Sequence, residues 1–319
     1  MSAAPQPDEA QGAGADSAAP AAAGTARAAA DVPPAPGRGV GAASFDLGLR
    51  MTLLAVLLDP PLLWFERVPP MLLAGLGLAV PATLRARWLW AGLLACAVGS
   101  LVFQWPFSDN HDYLGALWCV AVLCALWSGD APGVLAHAAR RLLGLSFAFA
   151  TLWKVALAPD FLDGRFMRVT LQTDGRFENL AVLAGGMTHD DWARNDAALD
   201  SVLSGTARFE ESGFSEPPSL RRLAAILTFF TVAAEAAVAI AFLWPLGRGP
   251  SRLRNLALLG FAATTYSFAT VRGFGWLLVS LGAAQAETRA ARAAYLVVFA
   301  LIGLYRAVPW SRALIDWLH

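Results

Sequence analysis

The sequence predicts an all-α fold, a polytopic transmembrane helix bundle with about eight or nine spans. Three observations lead there. Of 319 residues, 57% are hydrophobic and only 15% are charged, whereas an ordinary soluble domain carries about 25% charged residues. Mean hydropathy is +0.51. The apolar residues also gather in successive long runs, not in the short alternating segments of half-buried strands. This composition argues against a soluble enzyme, a disordered chain and a nucleic-acid binder, and makes the lipid bilayer the expected partner.

Taken in order, residues 1–45 hold 17 Ala, 6 Pro and 6 Gly. They show no apolar periodicity and cannot bury enough surface to offset their ordering entropy, so a disordered tail is expected. The segment from Met1 to Phe45 lacks the apolar stretch of a secretory signal. Residues 46–319 form the expected membrane domain. Its apolar runs cover 47–65, 68–84, 87–107, 112–128, 142–158, 222–245, 254–271, 273–286 and 293–310. A bilayer core needs about 17–25 helical residues. Asp59-Pro60-Pro61 interrupts the first run, where proline removes backbone donors and ends or kinks a helix. The eighth run has only 14 residues and opens with Gly273-Phe274-Gly275.

Arginine placement orients the bundle. Alternate connections carry Arg85 and Arg87, Arg140 and Arg141, Arg248, Arg252 and Arg254, then Arg289 and Arg292, nine in all. The other short connections hold only Arg67 and Arg272. By the positive-inside rule the N-terminus is expected to be cytoplasmic, with the protein in a cell membrane. The long connection 159–218 then lies outside. It holds 11 acidic residues and five arginines, a net of −6. A short helix is expected over Phe177–Leu183, and His189-Asp190-Asp191 reads as solvated polar surface, so no metal site is expected. Cys96, Cys119 and Cys124 form no paired motif and read as buried small hydrophobes.

Ionisable residues inside apolar runs are costly, so each is a functional candidate. The chain has 23 arginines but a single lysine, Lys154, inside Phe147-Ala148-Phe149-Ala150-Thr151-Leu152-Trp153-Lys154-Val155-Ala156-Leu157. A lysine there could snorkel to the interface. Alternatively it is a buried amine, which can lose its proton and act as a base where arginine cannot. Lys154 is expected about 6 Å from the outer face, and Glu235 about 20 Å deep. That gap forbids a simple ion pair between them unless a helix breaks. Glu235 and Asp59 are therefore expected to be polar contacts within the membrane. His111, Lys154 and Arg272 fall on the outer side, and Arg272 is a candidate anion clamp.

The stretch Asn110-His111-Asp112-Tyr113-Leu114 resembles the N-H-x-Y-L motif of the vitamin K-dependent gamma-carboxylase family. Phe149-Ala150-Thr151-Leu152-Trp153-Lys154 is similar to that family's helix bearing the catalytic lysine, and Asp160-Phe161-Leu162-Asp163-Gly164 to the motif after it. Glu235 and Gly273-Phe274 match later positions. The broader group is the HTTM domain family of bacterial membrane proteins, and the resemblance covers about 45–310. It implies a quinone or quinol cofactor or substrate, Lys154 as its base and His111 as a charge-stabilising partner. The expected outer pocket is lined by Asn110, His111, Tyr113 and Lys154. A non-catalytic membrane carrier, or a subunit of a membrane assembly, is the alternative.

Overall fold

The computed structural model describes residues 41–58, 64–206, 214–244, 251–266, 271 and 273–307. Every regular element among them is helical. The helices are α1 (Ala42–Leu58), α2 (Trp64–Ala79), α3 (Arg87–Phe103), α4 (Asn110–Trp127), α5 (Ala131–Leu152), α6 (Pro159–Leu162), α7 (Arg165–Thr173), α8 (Glu178–Gly185), α9 (His189–Leu203), α10 (Pro218–Leu243), α11 (Ser251–Tyr266), α12 (Phe274–Ala284) and α13 (Arg289–Ala307). Each of the nine apolar runs overlaps one helix: α1 to α5 and α10 to α13. Among the described residues, one helix, α10, is both long and apolar enough by itself to cross a membrane.

Boundaries differ from the sequence reading where tertiary contacts extend a helix. α1 starts at Ala42 and so takes in residues assigned to the tail. Ser44 and Phe45 are buried there, with the Ser44 hydroxyl donating to Ala286 O at 2.5 Å. Residues 1–40 lie outside the described set, as does Asp59. α1 ends at Leu58, directly before the Asp59-Pro60-Pro61 break.

α12 is the axis of the bundle. Its sequence is apolar on every face, and such a helix is buried all round; Gly275, Trp276 and every residue from Leu278 to Ala284 are buried. It packs on α1, α5, α11 and α13. The α1 crossing is close because Gly48 carries no side chain: a Cβ there would stand 2.6 Å from the Ala284 Cβ. Around this axis α2, α3, α4, α5, α10 and α11 pack in chain order, as short connections between antiparallel helices require.

One end of the bundle gathers the arginines. Arg85 binds Asp46 of α1 at 2.8 Å. Arg140 and Arg254 both reach Glu287, at 2.9 and 3.1 Å. Arg292 donates to the Ser44 hydroxyl at 3.1 Å. Beneath them, Asn255 Oδ1 accepts from Gln285 and Tyr295 in a buried network.

At the opposite end, the long connection folds into its own layer. α6 to α9 pack with the first turns of α10 around Phe161, Met167, Leu171, Ala181, Met187, Leu220 and Ala224. The expected short helix is present, as Glu178–Gly185. His189 Nδ1 pairs with Glu178 at 2.7 Å, so this histidine is tied to α8 and is not simply solvated. Asp191 closes a capping box with Thr188 at the start of α9.

Glu216 joins this layer to α10, pairing with Arg168 at 2.5 Å and Arg221 at 3.1 Å. Hydrogen bonds from Arg168 hold its carboxyl below the usual carboxylate range. A depressed folded-state pKa stabilises the layer above the unfolded value, about 4.3, and that contribution is lost as pH falls below it toward the folded value. Amide exchange over 165–203, corrected for intrinsic rates, should stay slow from neutrality down to about pH 5 and quicken below about pH 4. Glu216→Gln should flatten this pH dependence. A profile equally steep in the variant would show that another group is responsible.

Candidate functional site

Lys154 does not lie along the outside of the bundle. α5 keeps α-helical geometry to Leu152 and then widens into one π-helical turn, Trp153–Leu157. Pro159 helps set the limit: it has no N–H to continue the ladder, and it forces Ala158 toward extended geometry, φ −122° and ψ 80°. Such wide turns are frequent at functional sites. Here Trp153, Val155 and Leu157 are exposed, while Lys154 is mostly covered.

Its Nζ donates to both carboxylate oxygens of Glu235, each at 2.7 Å. The Lys154 side chain is 18% exposed and that of Glu235 10%. The Phe161 ring, from α6, lies 5.3 Å from Nζ, within cation–π range. This corrects the expectation that depth forbids the pair. Depth was counted from the start of the apolar run, but the first turns of α10 belong to the α6–α9 layer. Val232 is the last α10 residue packed on that layer's core. Glu235 is three residues further, about 4.5 Å at 1.5 Å per residue, which matches the position of Lys154. Glu235 is therefore the partner of the lysine and not a separate polar contact.

His111 occupies a different place. It sits in the first turn of α4, 3.8 Å from Asp109 and 3.7 Å from Asp112, with Phe274 at 6.1 Å between ring centroids. A capping box between Asp109 and Asp112 sets this turn. His111 lines a cavity of about 220 Å³ reaching between α1, α2, α3, α4 and the start of α12. Lys154 does not line that cavity, and neither do Asn110 and Tyr113, both exposed. The expected shared pocket of Asn110, His111, Tyr113 and Lys154 is thus two separate places at one end of the molecule. Arg272 lies outside the described residues, although its neighbour Gly273 lines the cavity.

Sequence reasoning missed Glu66. This residue is 9% exposed and lines the same cavity; its Oε2 accepts from the Gln104 amide. It was passed over because it falls in the connection between the first two apolar runs. The signal that could have found it is Trp64-Phe65-Glu66, a lone acid behind two aromatics and ahead of Pro69-Pro70. Both prolines lie inside α2, which therefore starts earlier than the run suggested. Cys96 and Cys119 also face the cavity, and the three cysteines are free thiols. Among the described residues no group of His, Cys, Asp and Glu is arranged to hold a metal.

Fold and site together define an all-helical bundle with a buried lysine–glutamate pair and a separate small cavity at one end. No family model matches the chain, and neither a curated protein nor a solved structure does.

Proposed function

We propose that the protein is a multi-pass membrane protein of the HTTM, vitamin K-dependent carboxylase-like type, and that Lys154 with Glu235 forms its working site at the outer face. Surface character supports the membrane reading. Large apolar side chains stand exposed along almost every bundle helix, among them Leu72, Val102, Leu117, Phe149, Ile226 and Leu256. An apolar surface of that extent in water would drive association, whereas in a bilayer it is the surface a span requires. The arginine end faces the cytoplasm by the positive-inside rule, and the α6–α9 layer lies outside.

The observation that carries the catalytic reading is the bidentate Lys154–Glu235 pair at a π-helical turn. Glu235, in contact with Nζ through both oxygens, can take the Lys154 proton and leave a free amine. The free amine then takes the hydroxyl proton of a quinol-like lipophilic substrate. General-base catalysis of this kind is worth about 10²–10⁴ in rate. Under anaerobic conditions, a reduced naphthoquinone added to the protein in lipid nanodiscs should ionise, with the absorbance of the quinolate appearing at neutral pH. Lys154→Arg should abolish that signal, because a guanidinium stays protonated. Equal ionisation by wild type and variant would leave positive charge alone as the cause and end the base reading.

The second reading is a non-catalytic carrier or assembly subunit. It is favoured by the same pair, since two buried charges that satisfy each other can serve as a clamp between α5 and α10. Mass spectrometry of lipids extracted from the purified protein separates the two readings. A quinone retained by wild type and lost in Lys154→Arg supports the first, and bulk phospholipid alone supports the second.

A further inference from the structure

We propose that α7 lies along the outer surface of the bilayer, with Phe166 and Val169 set among the lipids; this rests on the membrane reading above. α7 spans Arg165–Thr173 and has two apolar sides. Met167 and Leu171, four residues apart, are buried in the core of the α6–α9 layer. Phe166 and Val169, three apart, share a different side and are 47% and 55% exposed. Helical spacing puts Thr170 and Thr173 on that side too. In a helix that met only a core and water, this second side would be polar.

Three observations point to lipid as what meets this side. Its hydroxyls need no water: Thr170 donates to Phe166 O at 2.8 Å and Thr173 to Val169 O at 2.9 Å. The side also continues the apolar surface of the bundle. Phe166 stacks on Phe161 of α6 with ring centroids 5.3 Å apart, and Leu162 of α6 and Trp153 and Leu157 after α5 are exposed. On α10, Ile226 and Phe229 are exposed at the height of the layer, since Leu223, Leu227 and Val232 pack on the layer's core. Lastly, the charges are sorted. α9 carries four aspartates and one arginine, whereas α7 carries two arginines and no acid. Both arginines are paired, Arg165 with Asp163 and Arg168 with Glu216, so α7 brings no bare charge to the membrane. A helix with an apolar side and flanking arginines lies in the headgroup plane with that side against the acyl chains.

A lipid-soluble photolabel, 3-(trifluoromethyl)-3-phenyldiazirine, in nanodiscs holding the full wild-type chain tests this placement. Peptide mass spectrometry after photolysis reads incorporation along the chain. α9 is the control for apolar groups in water, because Leu203 on this acidic helix is 75% exposed. α11, with Leu253 and Leu256 exposed, is the control for the bilayer. α7 should take up at least ~10-fold more label than α9 and come within ~3-fold of α11. Val169→Cys should react with a charged, water-soluble methanethiosulfonate at least ~10-fold more slowly than Leu203→Cys. Helix content and a single elution peak confirm that both variants fold. Label on α11 but no more on α7 than on α9 overturns the proposal and leaves the membrane reading intact. Label on neither α7 nor α11 overturns the membrane reading itself, and the proposal with it. Val169→Cys reacting as fast as Leu203→Cys places this side in water and overturns the proposal. Slow reaction without label on α7 does so too, because a second protein or another copy of the chain then covers this side.

Discussion

Glu287→Gln is expected to lower the melting temperature of the protein by at least ~5 °C in detergent. Glu287 is a carboxylate that Arg140 and Arg254 share. Arg254 is 2% exposed, and Arg140 has 15% of its side chain exposed. Removing one partner of a buried pair costs about 3–5 kcal/mol. Glu287 itself is a third exposed, so solvent screens part of this and about 2–3 kcal/mol is the better expectation. Arg140→Ala should cost less than the glutamate exchange, because Glu287 keeps its pairing with the buried Arg254. A Glu287→Gln protein that melts with the wild type would show that solvent or lipid headgroups, not this carboxylate, compensate the two guanidiniums.

Glu235→Leu should destabilise the bundle by about 3 kcal/mol, since it leaves the Lys154 ammonium without its counter-charge in an apolar setting. Lys154→Met should cost a similar amount for the mirror reason. The double exchange should recover most of the loss, because two packed apolar side chains at 2.7 Å-paired positions leave no buried charge behind. Denaturant titration of the four proteins gives the coupling directly. Simple additivity of the two single losses would mean that the side chains do not meet as the structure places them. On the proposed function, all three variants also lose quinol ionisation, including the double exchange that restores stability. That divergence separates a working pair from a mere clamp.

Much of the fold was legible in the sequence because helices are local. An apolar run bounded by arginines, prolines or glycines specifies its own helix, so each of the nine runs found one. The eighth run looked merely short in the sequence, and its place at the centre as α12 came from the structure. The end-to-end sorting of Arg85, Arg140, Arg254 and Arg292 was also legible, since helices joined by short connections must alternate direction. Their partners were not. Nothing in the order of residues tells Glu287 from other loop acids until α5, α11 and the α12–α13 turn meet.

The site was legible only as a set of candidates. The solitary lysine drew attention by its rarity, and His111 by its motif. Glu66 stayed hidden because it falls between two apolar runs, where an acid reads as solvated. Its burial depends on Gln104, 38 residues away. The pairing of Lys154 with Glu235 spans 81 residues, and counting along each helix argued against it. Counting measures height on one helix; it does not say where the neighbouring layer begins. The sequence by itself determined the nine apolar helices, which end collects the arginines and which residue is the exceptional cation; α6, α7 and α9 of the long connection it did not. Only the tertiary structure decided that α6–α9 cover the first turns of α10, which brings Glu235 level with Lys154. The physical reason is that helix formation follows from hydrogen bonds four residues apart, whereas the meeting of two buried charges depends on how whole layers pack.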